Sequence, residues 1–113
     1  MNSEEMETEL AGWTAEEQAL ARRVFDQALR REMEDLIERL RLQAAALGGA
    51  EDVWQFHDFL SIQRHAIEGR TEFRMAGLLF VFAGFVKDGL TSLEELEGLS
   101  PDKQAKIRAM SRM

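Results

Sequence analysis

The chain has no cysteine, no tyrosine and a single proline, Pro101, in 113 residues. Without thiols, disulfide staples and thiolate metal sites are excluded. Val is sparse, and no segment alternates apolar and polar residues cleanly, so nothing reads as a half-buried strand. The first residues, Met1-Asn2-Ser3-Glu4-Glu5-Met6-Glu7, contain neither a basic stretch nor an apolar one, which argues against a secretory signal. The longest uncharged run, 75–86, falls far short of the ~20 residues a membrane span needs. The expectation is a soluble cytosolic protein of one domain. A net charge of −7 disfavours nucleic acid, where binding rests on basic residues neutralising phosphates.

What remains reads as an all-α protein. Thr14-Ala15-Glu16-Glu17 is a capping box: Thr14 caps and Glu17 reaches back. The helix it opens is expected to run to about Leu47, where Gly48-Gly49 stops it. Leu29, Met33, Leu36, Leu40 and Leu47 recur in steps of four, three and seven along it, the spacing of a heptad seam. About 33 residues at 1.5 Å each make ~50 Å, whereas a compact domain of this size has a radius of gyration of ~13 Å. The rest of the chain is too small to cover such a helix, so part of its seam must face another chain. A homodimer is the simplest closed solution, and the rival is a single-chain antiparallel bundle with a frayed first helix.

A second helix is expected from about Glu51 to Gly69 and a third from about Thr71 to before Gly89. The centre of the third, 75–86, is apolar all round and reads as core. In it, Gly77 and Gly84 could admit a neighbouring backbone. A short helix follows Thr91-Ser92, with Glu94 and Glu95 as capping partners, and stops at Gly98. The last helix starts at Ser100, with Pro101 at its first position. The organisation is one helical domain over 1–113, with dimerising stalk helices over about 14–68 and a head over about 70–113. Acidic residues crowd the start and basic ones (Lys103, Lys106, Arg108, Arg112) the end. Helix-dipole complementarity accounts for this, and an electrostatic docking patch is the alternative.

The second helix carries the most informative pattern. Trp54, His57, Asp58, Ser61 and Arg64 stand i, i+3, i+4, i+7 and i+10, which a helix gathers on one broad side. Trp and Arg are the residue types that most often anchor protein contacts. The packing alternative puts Trp54 in the core and pairs Asp58 with Arg64. A catalytic reading, a small hydrolase using the i, i+4 pair Ser61 and His65, is the weakest alternative: His57 and Asp58 are adjacent and diverge on a helix, and no oxyanion hole or strained nucleophile turn is evident. Two histidines eight apart do not make a helical zinc pair. The apolar third helix reads as core rather than as a pigment pocket.

Trp54-x-x-His57-Asp58-Phe59-Leu60-Ser61-x-x-Arg64-His65, Phe80-Val81-Phe82-Ala83 and Asp102-Lys103-Gln104-x-Lys106-Ile107 together resemble the cyanobacterial fluorescence recovery protein family, in one register from about Trp13 onward. The resemblance implies an all-α homodimer with no enzymatic activity and no cofactor. Its implied partner is the orange carotenoid protein. That photoreceptor opens under strong blue light into a red form that quenches phycobilisome excitation. The family binds the opened form, mainly through its C-terminal domain, speeds return to the orange form and helps detach it from the antenna. The implied setting is the cytoplasm, at most peripheral to the thylakoid surface.

Carried onto this chain, Trp54, Asp58 and Arg64, with His57 beside them, match the family's functional patch. Phe80 and Lys106 match partner-contacting head positions, and Val53 matches a dimer-contact position where the family often has Leu. Phe73 stands where a polar residue is common. Some relatives occur in bacteria without the photoreceptor, and for those the resemblance implies a dimeric adaptor with another protein partner.

Overall fold

The computed structural model describes residues 12–113. It contains α1 (Ala15–Ala45), α2 (Ala50–Glu68), α3 (Leu78–Lys87), a 3-10 turn (Glu94–Leu96) and α4 (Pro101–Ser111), with no strand among the described residues. The chain divides into two compact units, Met1–Leu29 with Phe73–Met113, and Arg30–Glu72. Helix α1 contributes its first part to one and the rest to the other.

The helix ends follow from local chemistry. At the start of α1 the capping box is complete: the Glu17 backbone N–H donates to Thr14 Oγ1 and the Thr14 N–H to Glu17 Oε1, each at 3.0 Å. Helix α1 ends at Ala45, two residues before the expected Leu47. Helix α2 starts after Gly49, and the Asp52 carboxylate reaches back to the Gly48 N–H at 2.9 Å. Ser92 Oγ accepts from the Glu95 N–H, which sets the 3-10 turn where a short helix was expected. Ser100 Oγ accepts from the Lys103 N–H and Pro101 opens α4, as its sequence predicts.

The third helix departs most from expectation. It begins at Leu78 rather than near Thr71. Gly77 caps it with φ 78°, a left-handed conformation that only glycine adopts without strain, so it is a turn residue and not a helical one. Nor is the helix buried all round. Leu78, Phe82, Ala83 and Phe85 are buried, but Phe80 is 72% exposed.

In the first unit α3 packs on α4. The core gathers Ala21, Val24, Phe25 and Ala28 of α1, the buried face of α3, Leu90, Leu96, Leu99 and Ile107. Each large apolar side chain so removed from water contributes about 1.5–3 kcal/mol. Phe25 lies edge-on to Phe73 at 5.2 Å between centroids and tilted to Phe85 at 5.9 Å. Phe73 also has the Arg22 guanidinium over its ring at 4.9 Å. An apolar residue at position 73 is thereby explained: it extends the aromatic cluster. Glu17, 6% exposed, ties the chain's two ends together. Its carboxylate accepts from the Ser100 N–H at 2.8 Å and from Lys103 Nζ at 3.2 Å, and that ammonium also lies over the Trp13 ring.

Among the described residues of the first unit, Thr91 stands out. It is 6% exposed and its hydroxyl has no hydrogen-bond partner. A buried hydroxyl without a partner costs about 1–3 kcal/mol. Thr91→Val keeps the shape and removes that cost, so the variant is expected to melt several degrees above the parent. A calorimetric scan reads this, and a lower melting temperature would show that the hydroxyl has a partner in solution.

In the second unit α1 and α2 meet through mixed contacts. The Arg39 guanidinium donates to Gln63 Oε1 at 3.1 Å and lies over the Phe59 ring at 5.2 Å. Arg70 pairs with Glu32. Little is buried: Leu36 is the one hydrophobic core residue in 30–72, and α2 has no buried residue at all.

Candidate functional site

Helix α2 gathers five of the sequence-marked residues on one side. At 3.6 residues per turn, Trp54, His57, Asp58, Ser61 and Arg64 fall within an arc of about 120°. All five are exposed, Trp54 at 65%. The other side of the helix, with Phe56, Phe59, Gln63 and Ile67 half-buried, is the side that carries the Arg39 contacts. The aromatic and charged residues are therefore left to solvent because the helix has already used its remaining face.

The ionic pairing differs from the packing alternative. Asp58 does not pair with Arg64. The Arg64 Nε donates to Glu68 Oε1 at 2.9 Å, and this hydrogen bond raises the guanidinium pKa further. Asp58 Oδ1 instead stands 3.3 Å from His57 Nδ1, so these neighbours do meet despite diverging from adjacent positions. Both are largely exposed, and the contact is a loose surface one. Ser61 and His65 are exposed with no hydrogen bond between their side chains.

Phe80 and Lys106 lie in the first unit. Phe80 is on the solvent side of α3, and Lys106 on α4 pairs with Asp102 at 3.1 Å on the helix surface. Of the seam residues on α1, Leu29 packs against the first unit's core and Leu36 is buried in the second, so both are covered within the chain. Leu40 is half-buried, while Met33 (46%), Leu47 (40%) and, on α2, Val53 (46%) are open.

A family model described as photoprotection regulator fluorescence recovery protein matches residues 13–111. The chain belongs to the fluorescence recovery protein family. It is 39% identical over 108 residues to the fluorescence recovery protein of Synechocystis sp. PCC 6803, covering 96% of this chain and 99% of that one. The solved structure of the Fremyella diplosiphon fluorescence recovery protein is 41% identical and superposes with a TM-score of 0.85 over 90% of this chain and 100% of that one. The Synechocystis structure gives 40% identity and 0.84, over 89% and 99%. The family is one of photoprotection regulators, and the all-helical architecture is that of its crystal structures.

For a member of this family the rest of the surface offers little else. Among the described residues no cluster of His, Asp and Glu could hold a metal ion, and no helix is long and apolar enough to cross a membrane. An open cleft of ≈ 290 Å³ at the α1–α2 turn is lined by Leu47, Phe56 and Phe59, with Gln43, Ala46, Gln55 and Asp52. Asp52 there already serves Gly48. Two residues escaped the sequence reading. Glu68 is visible only once Arg64 is counted four residues back, and Arg70 meets Glu32 across 38 positions, which no local pattern signals.

Proposed function

We propose that this chain is a homodimeric, non-enzymatic regulator that binds the photoactivated, red orange carotenoid protein and accelerates its return to the orange form, ending the quenching of phycobilisome fluorescence. The observation that carries the reading is the exposed α2 face. A 65%-exposed Trp54 beside His57, Asp58 and Arg64 makes no hydrogen bond or ring contact among the described residues, and a bare indole flanked by ions is what a protein-docking hot spot requires. A scaffold speeds domain closure only by binding the closing transition state better than the open state. Trp54 and Arg64 grip one domain of the photoreceptor, while exposed Phe80 and Lys106 of the head meet another part of it.

The test is to photoconvert an orange carotenoid protein with blue light and follow its dark recovery with and without this chain. Recovery is expected to quicken in proportion to added protein. An unchanged rate with a folded dimer would reject this photoreceptor as partner and leave an adaptor for another protein.

The dimer rests on apolar surface. Residues 30–72 expose Met33, Ile37, Leu42, Leu47, Val53, Leu60 and Ile62 as well as Trp54. A two-helix unit with one buried Leu does not hold itself closed at such exposure. Met33, Leu40, Leu47 and Val53 are the seam a second copy covers. Val53→Glu places a charge there and is expected to halve the mass found by light scattering, from two chains to one of 12.9 kDa. A variant still at the mass of two chains would move the interface away from Val53.

A further inference from the structure

We propose that Glu68 is a positioning residue of the docking patch, holding Arg64 by Nε so that its two terminal nitrogens are presented to a carboxylate of the protein partner. The inference rests on the docking role of Arg64 proposed above and adds the chemistry of what Arg64 takes.

Stability does not account for the Arg64–Glu68 pair. Glu68 is the last residue of α2, and the C-terminus of a helix is the unfavourable end for a carboxylate. Arginine precedes glutamate in the pair, which is the weaker order for an i, i+4 contact. Its side chains are 79% and 60% exposed, where ion pairs contribute little. The helix end is nevertheless ordered: Thr71 Oγ1 donates to the carbonyls of Ile67 and Glu68 at 3.4 and 3.2 Å, and the Gly69 N–H donates to that of His65. Glu68 is thus held in place by a closed C-terminal turn while its side chain makes a contact the helix does not need.

The atoms engaged decide the consequence. Glu68 Oε1 takes the Nε hydrogen of Arg64. That closes the side-on fork made by Nε and one terminal nitrogen, and leaves the end-on fork of Nη1 and Nη2. A carboxylate fits this fork with two parallel hydrogen bonds, and a lysine could not replace it. Trp54 lies ten residues earlier on the same exposed arc, about 15 Å along the axis. The surface therefore suits a partner with an acidic side chain about 15 Å from an apolar spot that receives the indole.

The experiment compares the full-length protein with Glu68→Ala, Glu68→Gln, Arg64→Leu and the Arg64→Leu/Glu68→Ala double variant. The probe is photoactivated orange carotenoid protein, read by dissociation constant and recovery rate. Glu68→Ala is expected to weaken binding about three- to tenfold. Glu68→Gln, whose amide oxygen still accepts from Nε, should restore most of the loss. Glu68→Ala should cost nothing further once Arg64 is Leu, while melting temperature and dimer mass stay at wild-type values. Binding by Glu68→Ala equal to or tighter than wild type would overturn the proposal, as would an equal loss in the Arg64→Leu background. The Arg64 Nε–H resonance, followed by 15N NMR without any partner, gives a separate decision. Its hydrogen exchange should quicken in Glu68→Ala, and unchanged exchange would also overturn the proposal. If the wild type itself neither binds nor speeds recovery, the photoreceptor reading fails, and the resonance alone decides whether Glu68 holds Arg64.

Discussion

Trp54→Ala is expected to reduce the acceleration of photoreceptor recovery by about tenfold or more, the loss that follows truncation of an interface hot spot. The fold should not notice. Trp54 is 65% exposed and no residue of α2 is buried, so helix content and melting temperature stay near the parent. Arg64→Leu should behave alike, since its one ionic contact is a surface pair with Glu68. Phe82→Ala is the informative contrast. That ring is fully buried, and its removal costs about 3–5 kcal/mol of stability. Circular dichroism beside the recovery assay separates the two behaviours. A Trp54→Ala protein that recovers the photoreceptor at the parent rate would take α2 out of the docking surface.

A second large stability effect is expected at the buried pair of Glu17 and Lys103. Their side chains are 8% and 13% exposed. Lys103→Ala strands the Glu17 carboxylate in the core, and breaking a buried pair in this way costs about 3 kcal/mol. The carboxyl's pKa is lowered from 4.5, first by the hydrogen bond from the Thr14 N–H and then by those from Ser100 and Lys103, against the opposing effect of burial. A depressed glutamate contributes stability above its unfolded value and loses it as pH falls through the folded one. The parent should therefore lose stability from Glu17 only below the ordinary glutamate range, and Glu17→Gln should flatten that acid limb while lowering stability at neutral pH. Urea titrations across pH 3 to 7 measure both, and an acid limb unchanged in Glu17→Gln would remove this carboxylate from the account.

The sequence disclosed what local chemistry decides. The Thr14 and Ser100 caps and the stop of α1 ahead of Gly48 are readable because each is written within four residues. The start of α3 was not. The apolar run through 75–86 continues past Gly77, and only the left-handed turn there shows that the helix begins at Leu78. Composition also hid that Phe80 faces outward, since a run with no polar residue gives periodicity nothing to mark.

The exposed arc of α2 was legible as spacing, because the i, i+3, i+4, i+7 rule places side chains without knowing their partners. Its ionic wiring was not. Asp58 and Arg64 are opposite in charge, but six residues put them off register, whereas Glu68 lies four from Arg64 and takes it. The second task of Glu17 was equally hidden: its capping role is local, and its bonds to Ser100 and Lys103 span more than eighty residues.

The same long span has a consequence for biosynthesis. The Trp13–Glu17 knot and the α1 side of the aromatic core are translated well before their partners on α3 and around α4. Residues 30–72 lie between them in the chain and expose Met33, Leu47 and Val53. In the dimer proposed above, the pairing surface is thus complete before the head can close, an order of events that favours pairing between neighbouring ribosomes on one message.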